Sequence, residues 1–299
     1  MYNEEESIPE LLARLKLSLP AVTGEYEILF IDDASSDSTP GILRNSLEQD
    51  KHLRVIRFSR NFGHQSAVSA GLDHASGDVV VVMDGDLQDP PEVIKDFIEK
   101  WKEGYDVVYG VRKKRKEGII KRLCYYFFYR IFKIISPGVY MPLDSGDFSL
   151  MSRKVVEKIR LFPESNRYIR GIRSWVGFRQ ASVVYERDRR FAGEAKYTFR
   201  KLFKLAYDGV FSFSYFPLHL ITVTGFLISI LSFLGIIVVL YFRIFTDYSV
   251  KGFASTASIV LFLGGLQILA LGIIGEYIGR IYDETKKRPH YIIEDKIGF

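Results

Sequence analysis

Residues 209–242 contain no Asp, Glu, Lys or Arg, and neither do residues 252–275. Each run exceeds the ~18–20 apolar residues that a helix needs to cross a bilayer. At ~1.5 Å rise per residue the shorter run reaches about 36 Å, enough to span with some tilt. One such run could be the buried helix of a soluble protein. Two of them, joined by a short linker near the C-terminus, predict a transmembrane hairpin at 217–242 and 253–276. The 299 residues leave ample chain outside it for a large domain.

Charge sets the orientation of that hairpin. The linker 243–252 carries Arg243, Lys251 and Asp247. The other side carries Arg200, Lys201, Lys204, Arg280, Lys286, Lys287 and Arg288. The positive-inside rule therefore places the large domain and both termini in the cytoplasm, with 277–299 as a cytoplasmic tail. Net charge is +5 and the pI is about 9.0. The cations concentrate in 112–122 and beside the apolar runs, which suits an anionic membrane surface and not a nucleic acid. Cys124 is the only cysteine, so no intrachain disulfide forms and a reducing compartment is allowed. The opening "MYNEEES" is acidic, unlike a signal peptide.

The first 112 residues alternate strand and helix signals. "YEILFIDD" (26–33), "HLRVIRFS" (52–59), "DVVVVMD" (78–84) and "YDVVYGVR" (105–112) read as strands. Helix signals fall at 5–19, in the Ser/Thr-led segment after Asp33, at 65–76 and at 90–104. This βαβ spacing predicts an α/β fold with a mainly parallel sheet covered on both faces. Ligands of such sheets bind beyond the carboxyl ends of the strands. Asp32-Asp33 and Asp84-Gly85-Asp86 both stand there, so they are expected to face one crevice. Residues 119–135 and 197–216 have amphipathic, aromatic-rich patterns expected of interfacial helices.

Two carboxylates separated by one small residue can both reach a hard divalent cation and leave positions for substrate phosphates. Asp84, Asp86 and Gln88 are thus the candidate ligands of Mg²⁺ or Mn²⁺. A solvated turn built from Asp and Pro would give the same residues. Ser36 or Asp37 is expected to cap the helix after the first acid pair, and Asp89 the helix that starts at Pro90-Pro91. No G-x-G-x-x-G or G-x-x-x-x-G-K-[ST] follows a strand, which counts against dinucleotide oxidoreductases and P-loop NTPases.

The stretches "YNEEESIPELL", "FIDDASSDST", "NFGHQSAVSAGLDHASGDVVVVMDGDLQDPPE", "DSGDFSLMSR" and "RFAGEAKYTFRKL" resemble family 2 glycosyltransferases of the GT-A fold. Within that family they are most similar to the polyisoprenyl-phosphate glycosyltransferases, and the ending "GEYIGRIYDETKKRPHYII" favours the bacterial branch. The resemblance implies a GT-A catalytic domain over 1–196. Tyr2, Asn3, Glu4 and Asp33 would line the nucleotide pocket. Asp84, Asp86 and Gln88 would meet metal and diphosphate, and Asp147 the donor sugar. Arg190 and Lys196 would contact phosphates, and Arg112 and Arg122 the lipid phosphate.

The implied reaction moves a sugar, glucose as first choice, from a nucleoside diphosphate to undecaprenyl phosphate at the bacterial inner membrane. An acceptor phosphate is already ionised near pH 7, with a second pKa of about 6, so a strong general base is unnecessary. Asp147 is therefore expected to orient substrate, and one in-line displacement to invert the anomeric carbon. GDP-mannose as donor, a processive synthase or a non-catalytic membrane scaffold are the competing readings. Gly225, Gly235, Gly264 and Gly265 would let the hairpin pack against copies of itself as a homo-oligomer. The family carries an apolar strand ahead of the "YNEEE" stretch, so residues upstream of Met1 are expected in the functional protein.

Overall fold

The computed structural model describes residues 1–113, 145–164, 167–186, 216–245 and 252–299. The predicted interfacial segment 119–135 and nearly all of 197–216 lie outside them, with Arg122, Arg190 and Lys196. Contacts divide the chain into two units, Met1–Leu202 with Arg288–Phe299, and Phe203–Lys287.

The first unit is built from elements whose residues announce them. Ile8, Leu11, Leu12 and Leu15 share one helical face, and α1 (Ile8–Ser18) buries all four. β1 (Ile28–Asp32) and β2 (Leu53–Phe58) flank α2 (Thr39–Gln49) and pair in parallel, Ile28 opposite Leu53 and Asp32 opposite Arg57. α3 (His64–His74) carries the small residues Ala67, Ser69 and Ala70 on its buried face, which lets it lie close to the sheet. β3 (Val79–Val82) follows. A short 3₁₀ turn, Pro91–Val93, then leads into α4 (Ile94–Lys102). Next come β4 (Val107–Arg112), β5 (Ser145–Ser152), α5 (Arg153–Arg160), α6 (Ile169–Trp175) and β6 (Gln180–Tyr185).

The sheet is mixed, not mainly parallel as the βαβ spacing predicts. β1–β2 and β4–β6 pair in parallel, whereas β3–β5 and β4–β5 pair antiparallel. The cause is β5, which enters between β3 and β4 and runs against both. β7 (Ile293–Ile297) adds a further antiparallel edge beside β2, with Val55 opposite Ile297. Residues 293–297 are thus part of the first unit's sheet, and Tyr291 stacks on Phe58 with ring centroids 5.0 Å apart. Among the described residues the strands form two sheets, ordered β1-β2-β7 and β3-β5-β4-β6.

The second unit contains α7 (Phe216–Phe245) and α8 (Phe253–Lys286). The stretch Phe262–Lys286 is long and apolar enough to cross a membrane, while the corresponding stretch of α7, Ile221–Gly235, is shorter. Past the first charge of α8, Glu276 pairs with Arg280 one turn on, at 3.1 Å. Phe226, Leu231, Phe262 and Ile268 are exposed, a surface that water would not favour. These features fit membrane association.

Candidate active site

The two acid pairs meet only in part: Asp32 is buried and accepts the Ser35 N–H at 3.0 Å, apart from the cavity that the other three acids share. Asp33, Asp84 and Asp86 line one cavity, together with Met1, Tyr2, Glu4 and His64. Asp33 follows β1 and is buried; its two oxygens accept the N–H groups of Phe62 at 2.7 Å and Gly63 at 2.9 Å. Gly63 has φ of 94°, which only glycine adopts readily, and α3 starts directly after it. Asp33 therefore anchors the loop that presents His64. Burial raises the Asp33 carboxyl above its ordinary pKa, against the two backbone N–H groups.

The first five residues are stitched to the loop after β1. Asn3 Oδ1 accepts the Ser36 N–H at 2.9 Å, Thr39 Oγ1 accepts the Glu4 N–H at 3.0 Å, and Ser38 N–H donates to Glu5 at 2.9 Å. Asp37 accepts the Thr39 N–H at 3.0 Å in a turn just ahead of α2, but the N-cap is Ser38, which makes no side-chain cap bond, so neither Ser36 nor Asp37 caps this helix as expected. Tyr2 stays 41% exposed at the cavity, free to face a ligand.

After β3 the chain turns sharply. Asp86 Oδ1 accepts the Gln88 N–H at 3.1 Å, and Leu87 between them has φ of 59° while fully buried. A left-handed, non-glycine residue costs about 1–3 kcal/mol, and here it turns both carboxylates to the cavity. Gln88 is not among the residues lining it. Asp89 does not cap the next helix. It is buried and accepts the Tyr185 hydroxyl, with Arg112 Nη2 4.0 Å away. Arg112 also donates to the Tyr185 hydroxyl at 3.4 Å. Replacing Tyr185 with Phe removes one hydrogen bond to a buried carboxylate and should cost about 1.5–3 kcal/mol, read as a lowered thermal midpoint with an unchanged circular dichroism spectrum.

Asp147 lies inside β5, not in a loop, and Arg170 and His64 hold it. Arg170 Nη2 stands 2.8 Å and His64 Nε2 3.2 Å from Asp147 Oδ2. Burial opposes ionisation of Asp147, but Arg170 and His64 keep it well below the usual carboxylate range. The other His64 nitrogen is 3.9 Å from Asp84, so this ring links the two acid sites. Burial pushes the Asp84 carboxyl up; Asp147, Asp89 and Asp86 push the same way, and His64 opposes them. From the sequence alone His64 is more often structural than catalytic, and nothing marks Arg170. Arg173 proves to be a core residue, 2% exposed, donating to the Gly146 carbonyl at 3.3 Å, while Trp175 is exposed.

A carboxylate raised first by burial, with three further carboxylates around it, is a place where a divalent cation fits the chemistry. Among the described residues no three His, Cys, Asp or Glu side chains converge tightly enough to hold one alone. Asp84 and Asp86 would therefore share the ion with substrate oxygens, the usual arrangement for Mg²⁺.

The profile of Glycosyl transferase family 2 matches residues 1–160, the span that holds both acid pairs and Asp147. The chain is a family 2 glycosyltransferase. Its sheet, with acids at the strand ends, is the GT-A arrangement. It is 48% identical over 299 residues to a Bacillus subtilis (strain 168) protein described as an uncharacterized glycosyltransferase, covering 100% of this chain and 92% of that one. It is 44% identical over 299 residues to the bactoprenol glucosyl transferase of Shigella phage SfV, covering 99% and 96%. With the Escherichia coli (strain K12) prophage bactoprenol glucosyl transferase homolog it shares 43% identity over 297 residues, covering 98% and 96%.

Proposed function

We propose that this glycosyltransferase moves a sugar, glucose as first choice, from a nucleoside diphosphate to a polyprenyl phosphate, with inversion. The observation that carries the reading is the state of Asp147. A carboxylate ion-paired to Arg170 and His64 is a poor general base, because proton uptake would cost it both partners. Acceptors with an alcohol nucleophile need such a base, whereas a phosphate monoester does not. The names of the bactoprenol relatives point to the same acceptor class.

In this reading Tyr2, Asn3, Glu4 and Asp33 hold the nucleotide. Asp84 and Asp86 would hold a divalent cation, which when bound would supply positive charge for the diphosphate, and Arg190 and Lys196 make the further phosphate contacts; Gln88, outside the cavity, leaves this set. Asp147, set by Arg170 and His64, orients the donor sugar. Arg112 and Arg122 draw the lipid phosphate towards it. The domain comprises 1–196 together with 288–299, whose β7 pairs with β2, and works at the cytoplasmic face, anchored by a hairpin at 217–242 and 253–276.

The test is a panel of radiolabelled nucleotide sugars offered to the protein in bilayers, with and without undecaprenyl phosphate and with EDTA. The expected product is a labelled, chloroform-soluble glucosyl lipid of inverted configuration, formed from UDP-glucose and lost on chelation. Retained configuration sinks the single displacement. Transfer to water-soluble acceptors with the lipid ignored sinks the acceptor assignment.

A further inference from the structure

His64 reaches Asp147 and Asp84 from the first residue of α3, so its place depends on how that helix and the loop before it are held. The far end of α3 meets the segment that leads into β7. The Tyr291 hydroxyl donates to Asp73 Oδ2 at 3.0 Å, and the Tyr291 ring stacks on Phe58 with the two planes 13° apart. Burial, with Asp73 beside it, raises the Tyr291 hydroxyl above its ordinary pKa, so it stays a donor. Arg167 approaches the other Asp73 oxygen at 3.8 Å. Strand β7 fixes where Tyr291 stands. Ile293 lies opposite Phe58, and the Ser59 N–H donates to the Ile292 carbonyl at 3.0 Å.

The same ring reaches the near end of α3 through one intermediate. Phe58 meets Phe62 edge to face, with centroids 5.7 Å apart. Phe62 and Gly63 give their N–H groups to Asp33, and His64 is the next residue. Tyr291, Phe58 and Phe62 belong to one apolar cluster with Ala67 and Ala70, so the ring packs against the small-residue face of α3. The helix has 11 residues, about 16 Å of length, and a closely packed helix shifts as a body. Tyr291 thus acts on both ends of the element that presents His64, on one by a hydrogen bond and on the other by stacking. Phenylalanine would fill the same space. The hydroxyl adds a directional bond that fixes α3 along its axis.

We propose that Tyr291 is a positioning residue for sugar transfer: it sets α3 so that His64 meets Asp147, and it acts on the reaction only through His64. The inference rests on the reading of Asp147 as the carboxylate that orients the donor sugar. It is independent of which sugar is moved and of which acceptor takes it.

The test is a double-mutant cycle in the full chain in bilayers, with Tyr291→Ala, His64→Ala and the two combined, using the donor and acceptor that the panel identifies. Tyr291→Ala is expected to lower kcat by about 10-fold with donor KM within about twofold, as loss of geometry does. In the His64→Ala background the same substitution should change kcat by less than about twofold. A merely structural role lowers the rate equally in both backgrounds, and equal losses overturn the proposal, as does a parent rate for Tyr291→Ala. Should Tyr291→Ala fail to fold, the cycle runs with Tyr291→Phe, which keeps the stack and should lose about threefold in kcat. Amide exchange needs no substrate. At Phe62 and Gly63, Tyr291→Ala should speed it by at least ~10-fold relative to β4, and Tyr291→Phe by less. Unchanged exchange there overturns the proposal whatever sugar is transferred. His64→Ala at the parent rate also overturns it; the fault then lies in the role given to Asp147, and the exchange reports separately on the hold over α3.

Discussion

Asp86→Asn should lower kcat by about 10²–10³-fold while the protein stays folded. Asn keeps an oxygen where Asp86 accepts the Gln88 N–H, so the turn that carries Leu87 at φ of 59° retains its tie. What the substitution removes is charge. If Asp84 and Asp86 hold a cation against the leaving diphosphate, loss of one carboxylate weakens the ion and the developing charge goes uncompensated. The transfer rate should fall together with metal affinity, so that the Mg²⁺ or Mn²⁺ concentration for half-maximal rate rises. Asp84→Asn serves as the parallel case, with a less simple expectation. Its carboxyl is already raised by burial and by Asp147, Asp89 and Asp86, so neutralising it also relieves repulsion. Activity within threefold of the parent for Asp86→Asn, at unchanged metal requirement, would remove the acid pair from the chemistry.

Much of this site was legible because each acid stands where a strand signal ends. Continuous apolar runs such as Val79–Val82 mark strands covered on both faces, and acids directly beyond them fall at the ligand-binding edge of an α/β sheet. Asp33, Asp84 and Asp86 follow from that rule alone. Three other features did not follow. β5 reads "SGDFSLMS", a strand with Ser and Asp at alternate places, and its antiparallel entry depends on long-range pairing with β3 and β4 that no local pattern encodes. β7 reads "IEDKI", three charged residues between two isoleucines, and lies after a long apolar helix, where a tail was the natural reading. His64 and Arg170 are far apart in sequence from each other and from Asp147; only the packing of α3, α6 and β5 brings them together. Asp89 shows the converse error: its place before two prolines suggests a cap, but burial gives it to Tyr185.

Arg170→Met should show how far Asp147 depends on its partner. The pair is 2.8 Å apart with side chains 22% and 12% exposed, so breaking it leaves a mostly buried carboxylate with His64 as the other partner of this pair of contacts. Loss of one member of a buried pair costs about 3–5 kcal/mol; partial exposure puts this case near the lower end. The pH dependence has a definite sign. Asp147 is more acidic in the folded protein than its ordinary value of 3.8, so the stabilisation it draws from Arg170 is complete above that value and fades as pH falls through it. The stability gap between parent and Arg170→Met should therefore be constant near neutral pH and narrow on acidification towards 3.8 and below. Kinetics separate positioning from bulk folding. A carboxylate released from Arg170 no longer holds one orientation, so kcat should fall by about 10–100-fold with a smaller change in donor KM, a loss of transition-state geometry more than of ground-state binding. Arg170→Lys keeps the charge but gives up the two-point contact made through Nε and Nη2, and it should recover most of the stability and only part of the rate. If both variants transfer sugar at the parent rate, Asp147 does not need to be held, and the argument from a pinned carboxylate to a phosphate acceptor loses its basis.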